Sequence, residues 1–255
     1  MTTPFPEGSS SSAYVSPNLD VGDVVSRVFK IYREQAGVLL PAAAVIFLIE
    51  ALVRLVAVDR PLLGLLAGIV SLVLSTLYTG MVVELVNDVR DGRLDQSVGG
   101  LFSRVTPVVL PLIGVSILAG LGIAIGLILL IIPGLFLMTI WAVVSPVTVV
   151  ERPGVFAAFG RSRHLVKGNG WQVFGVIVLF LLIFIVIGIV LGIIGALLGT
   201  VGQVVFGYLG SVITAPLVAL AAAVVYFELR DRKEGPPAAA PGAAGPEAPG
   251  SLPQT

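Results

Sequence analysis

Few side chains in this sequence could do chemistry, and they fall at regular places around long apolar blocks. Glu50 and Arg54 lie four residues apart in GVLLPAAAVIFLIEALVRLVAV, the one charged pair well inside an apolar stretch. That spacing is about one helical turn, so both share a helix face. An unpaired carboxylate in hydrocarbon costs several kcal/mol or takes up a proton, and an ion pair removes most of that penalty. The pair is expected to face other helices rather than lipid, either as a self-satisfied structural pair or as a site for a proton or ligand. Glu84, Glu151 and Glu228 each close an apolar block. They are candidate partners for arginines such as Arg104, Arg161 and Arg163, a pairing that would lock surface segments onto a helical bundle; the bland alternative is ordinary solvated charge at a membrane border.

No other constellation is a candidate for catalysis. Cysteine is absent and His164 is the sole histidine, which leaves no thiolate or histidine metal site. The sequence has no GxSxG, HExxH, P-loop or dinucleotide fingerprint. No enzyme activity, cofactor, metal or nucleic-acid partner is therefore expected.

The elements that carry these residues belong in a bilayer. The chain is 56% hydrophobic and 12% charged, and no charge occurs from Pro61 to Val83, Val105 to Val150 or Gly168 to Phe227. A crossing needs about 20 apolar residues, so these blocks hold one, two and two spans, with another between Gly37 and Val58. The fold expected is an all-α, six-span helical membrane bundle within residues 19–235. Residues 1–18, rich in Ser, and residues 236–255, rich in Pro, Ala and Gly, read as disordered tails. Pro133 and Gly134 are expected to break the third span from the fourth. The fifth and sixth spans should turn at Gly199 to Gln203.

Short amphipathic segments precede three of the spans. Asp20 to Ala36 sets Val21, Val24, Val25, Val28 and Tyr32 against Asp23, Arg27, Lys30 and Glu34. Val98, Leu101, Phe102 and Val105 form a weaker one. In Gly154 to Lys167, Val155, Ala158, Phe159, Leu165 and Val166 share a face, and Arg161, His164 and Lys167 lie opposite. Such helices lie in the headgroup boundary with the apolar face down. The plan of amphipathic helix, span, tight turn and span then reads as three repeated hairpins. Of the 15 Lys and Arg, all but Arg54 and Arg60 fall on the side of these segments, which marks that side and both termini as cytoplasmic in a cell membrane. GxxxG pairs at Gly64 and Gly68, Gly122 and Gly126, Gly188 and Gly192, and Gly195 and Gly199 are expected at helix contacts.

The run IPGLFLMTIWAVVSPVTVVERPGVFAAFGRSRHLVKGNGWQVFG resembles the integral membrane proteins grouped with the membrane domain of glycerophosphoryl diester phosphodiesterase. LDVGDVVSRVFKIYRE and VVYFELRDRKEG resemble the same group at the two ends of the likeness, about Leu19 to Gly235. Some relatives carry a phosphodiesterase barrel beside this region. The present sequence shows none, so the resemblance implies a stand-alone membrane domain and no catalytic activity.

The function expected is to organise or regulate lipids or protein partners at the cytoplasmic leaflet. Arg27, Lys30, Arg161, Arg163 and Lys167 are the candidate contacts to anionic headgroups, each basic side chain contributing about 1 kcal/mol near such a surface. A membrane-protein partner fits the same surface. The alternative is a transporter or permease for a small solute or lipid, which needs polar groups converging at the midplane.

Overall fold

The computed structural model describes residues 19–57, 60–92 and 98–235; both tails, Asp59 and Arg93 lie outside them. Ten α-helices follow in order, with no strand among the described residues: α1 (Val21–Glu34), α2 (Ala36–Val56), α3 (Pro61–Arg90), α4 (Val98–Val105), α5 (Val109–Leu129), α6 (Ile131–Ile140), α7 (Val144–Val150), α8 (Val155–Val166), α9 (Gly170–Leu197) and α10 (Gly199–Glu234). Six stretches are long and apolar enough to cross a membrane: Ala36–Arg54, Pro61–Arg90, Gly99–Leu129, Ile131–Val150, Gly170–Leu197 and Gly199–Glu234. The chain is thus an all-α, multi-pass membrane protein.

Its core is concentrated at the basic end. The inner half of α10 is the axis: Leu217, Leu220, Ala223, Val224, Tyr226, Phe227 and Leu229 are buried among Leu39 of α2, Met81 and Val82 of α3, Leu112 of α5 and Val147 of α7. The other end is bare. Leu62, Leu65 and Leu66 of α3, Ile128 to Ile132 at the tip of the α5–α6 hairpin, and Leu197, Leu198 and Val201 are all exposed. Lipid tails are as apolar as leucine, so nothing drives these side chains together. The short helices α1, α4 and α8 pack on the dense end, α1 against α10 and α9, α4 against α3, and α8 against α7 and α5.

Several boundaries differ from the sequence reading. The break between the third and fourth spans falls at Leu130, extended at φ −159° and ψ 133°, and Pro133 lies in the first turn of α6. Pro111 and Pro146 occupy the same third position of α5 and α7. A missing N–H is harmless there, because first-turn donors have no intrahelical acceptor. The fourth span is discontinuous, interrupted at Trp141 to Val143 between α6 and α7. The fifth and sixth spans turn at Leu198 alone: Gly199, at φ +74°, already begins α10, and Gly195 packs on Gly202 and Gln203. A side chain would resist that positive φ, which is why the turn takes glycine.

The glycine pairs also separate. Gly122 meets the Trp141 ring, and a Cβ at Gly126 would lie 2.9 Å from the Gly134 Cα, so these set the α5–α6 approach. Gly64, Gly68, Gly188 and Gly192 have nothing within 4 Å of such a Cβ and make no close contact.

Candidate functional site

Ionic contacts gather where the short helices meet the dense end. The chain reverses after α7 through Arg152, at φ 52°, and Gly154, at φ 87°, left-handed conformations that fold α8 back beside α7. Arg161 of α8 thereby turns inward, not outward with His164 and Lys167 as the helical wheel suggests. Its Nε donates to Glu151 Oε2 at 2.7 Å, and its Nη2 donates to Glu234. The Glu151 hydrogen bond holds the Arg161 pKa above its ordinary value against the opposing effect of burial. Tyr226 completes the cluster, its hydroxyl donating to Glu151 Oε1 at 2.9 Å.

The other short helices are tied similarly. Arg104 of α4 donates to Asp88 Oδ1 at 2.7 Å and lies 3.9 Å from Glu84. Arg27 of α1 donates to Glu228, which also lies 3.7 Å from Arg232. Arg90 donates to Asp231 at 2.7 Å while its guanidinium sits 4.4 Å over the Phe227 ring. Asp88 and Asp231 are site residues that the sequence does not single out. Asp88, four residues from Glu84, carried a spacing that could have flagged it; Asp231 sits in a charged run where each acid looks alike.

The candidate residues therefore divide. Glu84, Glu151 and Glu228 each have an arginine within 4 Å, Arg104 and Arg161 are among those partners, and Arg163 is not. Of the candidate headgroup contacts, Arg27 and Arg161 are held by carboxylates. Lys30, Arg163 and Lys167 are exposed with no carboxylate partner among the described residues, and Arg33 shares that state. Beside these cations stand exposed aromatics: Phe29 at 43%, Phe156 at 82% and Trp171 at 83%. Basic and aromatic side chains together are the composition of a headgroup boundary.

Glu50 and Arg54 form a second polar group toward the opposite end. Arg54 Nη2 donates to Glu50 Oε1 at 2.6 Å, the Glu50 side chain 13% exposed and that of Arg54 67%. Both line a groove of about 390 Å³ between α2 and α10, with Phe47, Gln203, Tyr208 and Ser211. The Tyr208 hydroxyl closes its inner end by donating to the Ala44 carbonyl at 3.2 Å.

A third group lies midway along the bundle, where the sequence suggested little. Ser75, Thr76 and Thr79 of α3, Ser116 of α5 and Ser145 of α7 line a cavity of about 130 Å³ beside the break in the fourth span. Nearby, the Ile140 carbonyl that ends α6 accepts from the buried Ser162 hydroxyl at 2.9 Å, so the break is satisfied by a side chain of α8. Among the described residues no group of three or more His, Asp or Glu could hold a metal. No family model matches the chain, and neither does any curated protein or solved structure.

Proposed function

We propose that the protein is a non-enzymatic component of the cell membrane that organises anionic lipids at the cytoplasmic leaflet, with both termini on that side. The observation that carries this reading is the sorting of its cations. Arg27, Arg90, Arg104 and Arg161 neutralise acids of the bundle, whereas Lys30, Arg33, Arg163 and Lys167 stay exposed on α1 and at α8 beside Phe29, Phe156 and Trp171. Cations on a boundary attract anionic headgroups by about 1 kcal/mol each, and neighbouring rings fix the depth at which the helices sit. The likeness to the membrane domain of glycerophosphoryl diester phosphodiesterase is part of this proposal.

The test is lipid titration of the purified protein, followed by native mass spectrometry. Anionic phospholipid is expected to be retained over zwitterionic phospholipid of the same chains. The combined variant Lys30→Gln, Arg33→Gln, Arg163→Gln and Lys167→Gln is expected to lose that preference while keeping its fold. Equal retention of both lipids by the unmodified protein overturns the proposal, as does saturable solute uptake in proteoliposomes.

A further inference from the structure

The mid-bundle cavity has a lining of one chemical kind. Its polar residues are Ser75, Thr76, Thr79, Ser116 and Ser145, with Leu72 and Leu112 as apolar wall. Three of the hydroxyls spend their protons on carbonyls of their own helices: Ser75 donates to Leu72 at 3.1 Å, Thr79 to Ser75 at 2.9 Å and Ser116 to Leu112 at 2.8 Å. A hydroxyl has two acceptor lone pairs, so these oxygens can face the cavity only as acceptors. Thr76 is 4% exposed, and neither it nor Ser145 has a hydrogen-bond partner among the described residues. Their hydroxyls therefore keep both a proton and lone pairs for whatever occupies the cavity.

We propose that this cavity binds a small monovalent cation of sodium or potassium size, carrying part of its water shell. Three oxygens that face the cavity only as acceptors, with no side-chain N–H in the lining, disfavour an anion. The absence of any carboxylate from the lining disfavours a divalent ion, which takes several charged oxygens. A volume of about 130 Å³ corresponds to roughly four waters at about 30 Å³ each, enough for an ion with some of its shell. The position supports the same ligand. Thr76 lies halfway along α3, at mid-depth, and the buried Glu84 follows about two turns later, 3.9 Å from Arg104. Between them Gly80 is so closely packed that a Cβ there would lie 2.5 Å from Val105 Cγ1, an apolar seal toward the basic end. The break between α6 and α7 adds the motif by which membrane proteins place polar groups at mid-depth.

The experiment is thermal unfolding of the purified protein in detergent with sodium, potassium or N-methylglucamine chloride at equal ionic strength. Sodium or potassium is expected to raise Tm saturably, by about 3–6 °C at tenfold the half-saturating concentration. Thr76→Val, which keeps the shape and removes the oxygen, and Ser116→Ala are each expected to abolish or sharply weaken that rise. Ser116 is half-buried, so its truncation decides the matter if Thr76→Val does not fold. Equal Tm in all three salts overturns the proposal and leaves the cavity to water. A cation effect undiminished in Ser116→Ala also overturns it, placing the ion elsewhere.

Discussion

Arg161 and Glu151, ten residues apart across the reversal between α7 and α8, meet at 2.7 Å with both side chains about three-quarters buried. The same Glu151 accepts from Tyr226 of α10, so one carboxylate joins three helices at the dense end of the bundle. Removing either partner leaves a partly buried charge that the other cannot satisfy alone.

Glu151→Gln and Arg161→Gln are therefore expected to be non-additive. In a double-mutant cycle read by thermal unfolding in detergent, the coupling should be about 1–2 kcal/mol. Additive losses would show that the pair is solvated border charge.

The Glu50–Arg54 pair is asymmetric, since Glu50 is largely covered and Arg54 is largely exposed. Arg54→Ala strands the covered carboxylate, whereas Glu50→Gln leaves a guanidinium able to reach the boundary. Arg54→Ala is expected to destabilise by about 1–3 kcal/mol more than Glu50→Gln. Equal stability of the two variants would refute the pairing argument.

Glycine substitutions should separate the two classes of site. A Cβ at Gly134 would lie 2.6 Å from the Leu127 backbone nitrogen, a group that cannot rotate away. Gly134→Ala is expected to lose about 1–3 kcal/mol of stability. Gly188→Ala, where a Cβ meets nothing within 4 Å, should be neutral or slightly stabilising through helix propensity. The contrast is measured by melting the two variants side by side.

The two tryptophans report on depth. Trp171, exposed at the start of α9, should be quenched strongly by a lipid-borne quencher placed near the headgroups. Trp141 sits against Phe159, with ring centroids 4.9 Å apart, and against Gly122, so Trp171→Phe should leave only weakly quenched emission. Equal quenching of Trp141→Phe and Trp171→Phe by that probe would remove α8 and the start of α9 from the boundary.

Ser162→Ala removes the donor to the Ile140 carbonyl at the break in the fourth span. A loss of about 1–2 kcal/mol is expected, because Ser162 is fully buried and water cannot replace it. A loss near zero in thermal unfolding would show that the freed carbonyl finds another donor.

Composition, charge and helical periodicity determined the all-α class, the six spans, the amphipathic segment that begins at Asp20 and the gathering of basic residues at one end. Each of these is local: transfer of a residue block from water to hydrocarbon is decided by its own side chains, and the Asp20 cap by the backbone N–H groups of Gly22 and Asp23 beside it. Only the tertiary structure decided that the fourth span breaks at Trp141 to Val143, that Arg161 turns inward, that Asp88 is a partner of Arg104 and that five ordinary hydroxyls share a cavity. The reason is physical. In a soluble protein the buried face of a helix is marked by its apolar side chains, but in a bilayer lipid and core are equally apolar, so hydropathy carries little record of which helix faces meet. Lateral placement rests on shape at positions such as Gly126 and Gly134 and on pairings such as Glu151 with Arg161, which appear only once the helices stand side by side.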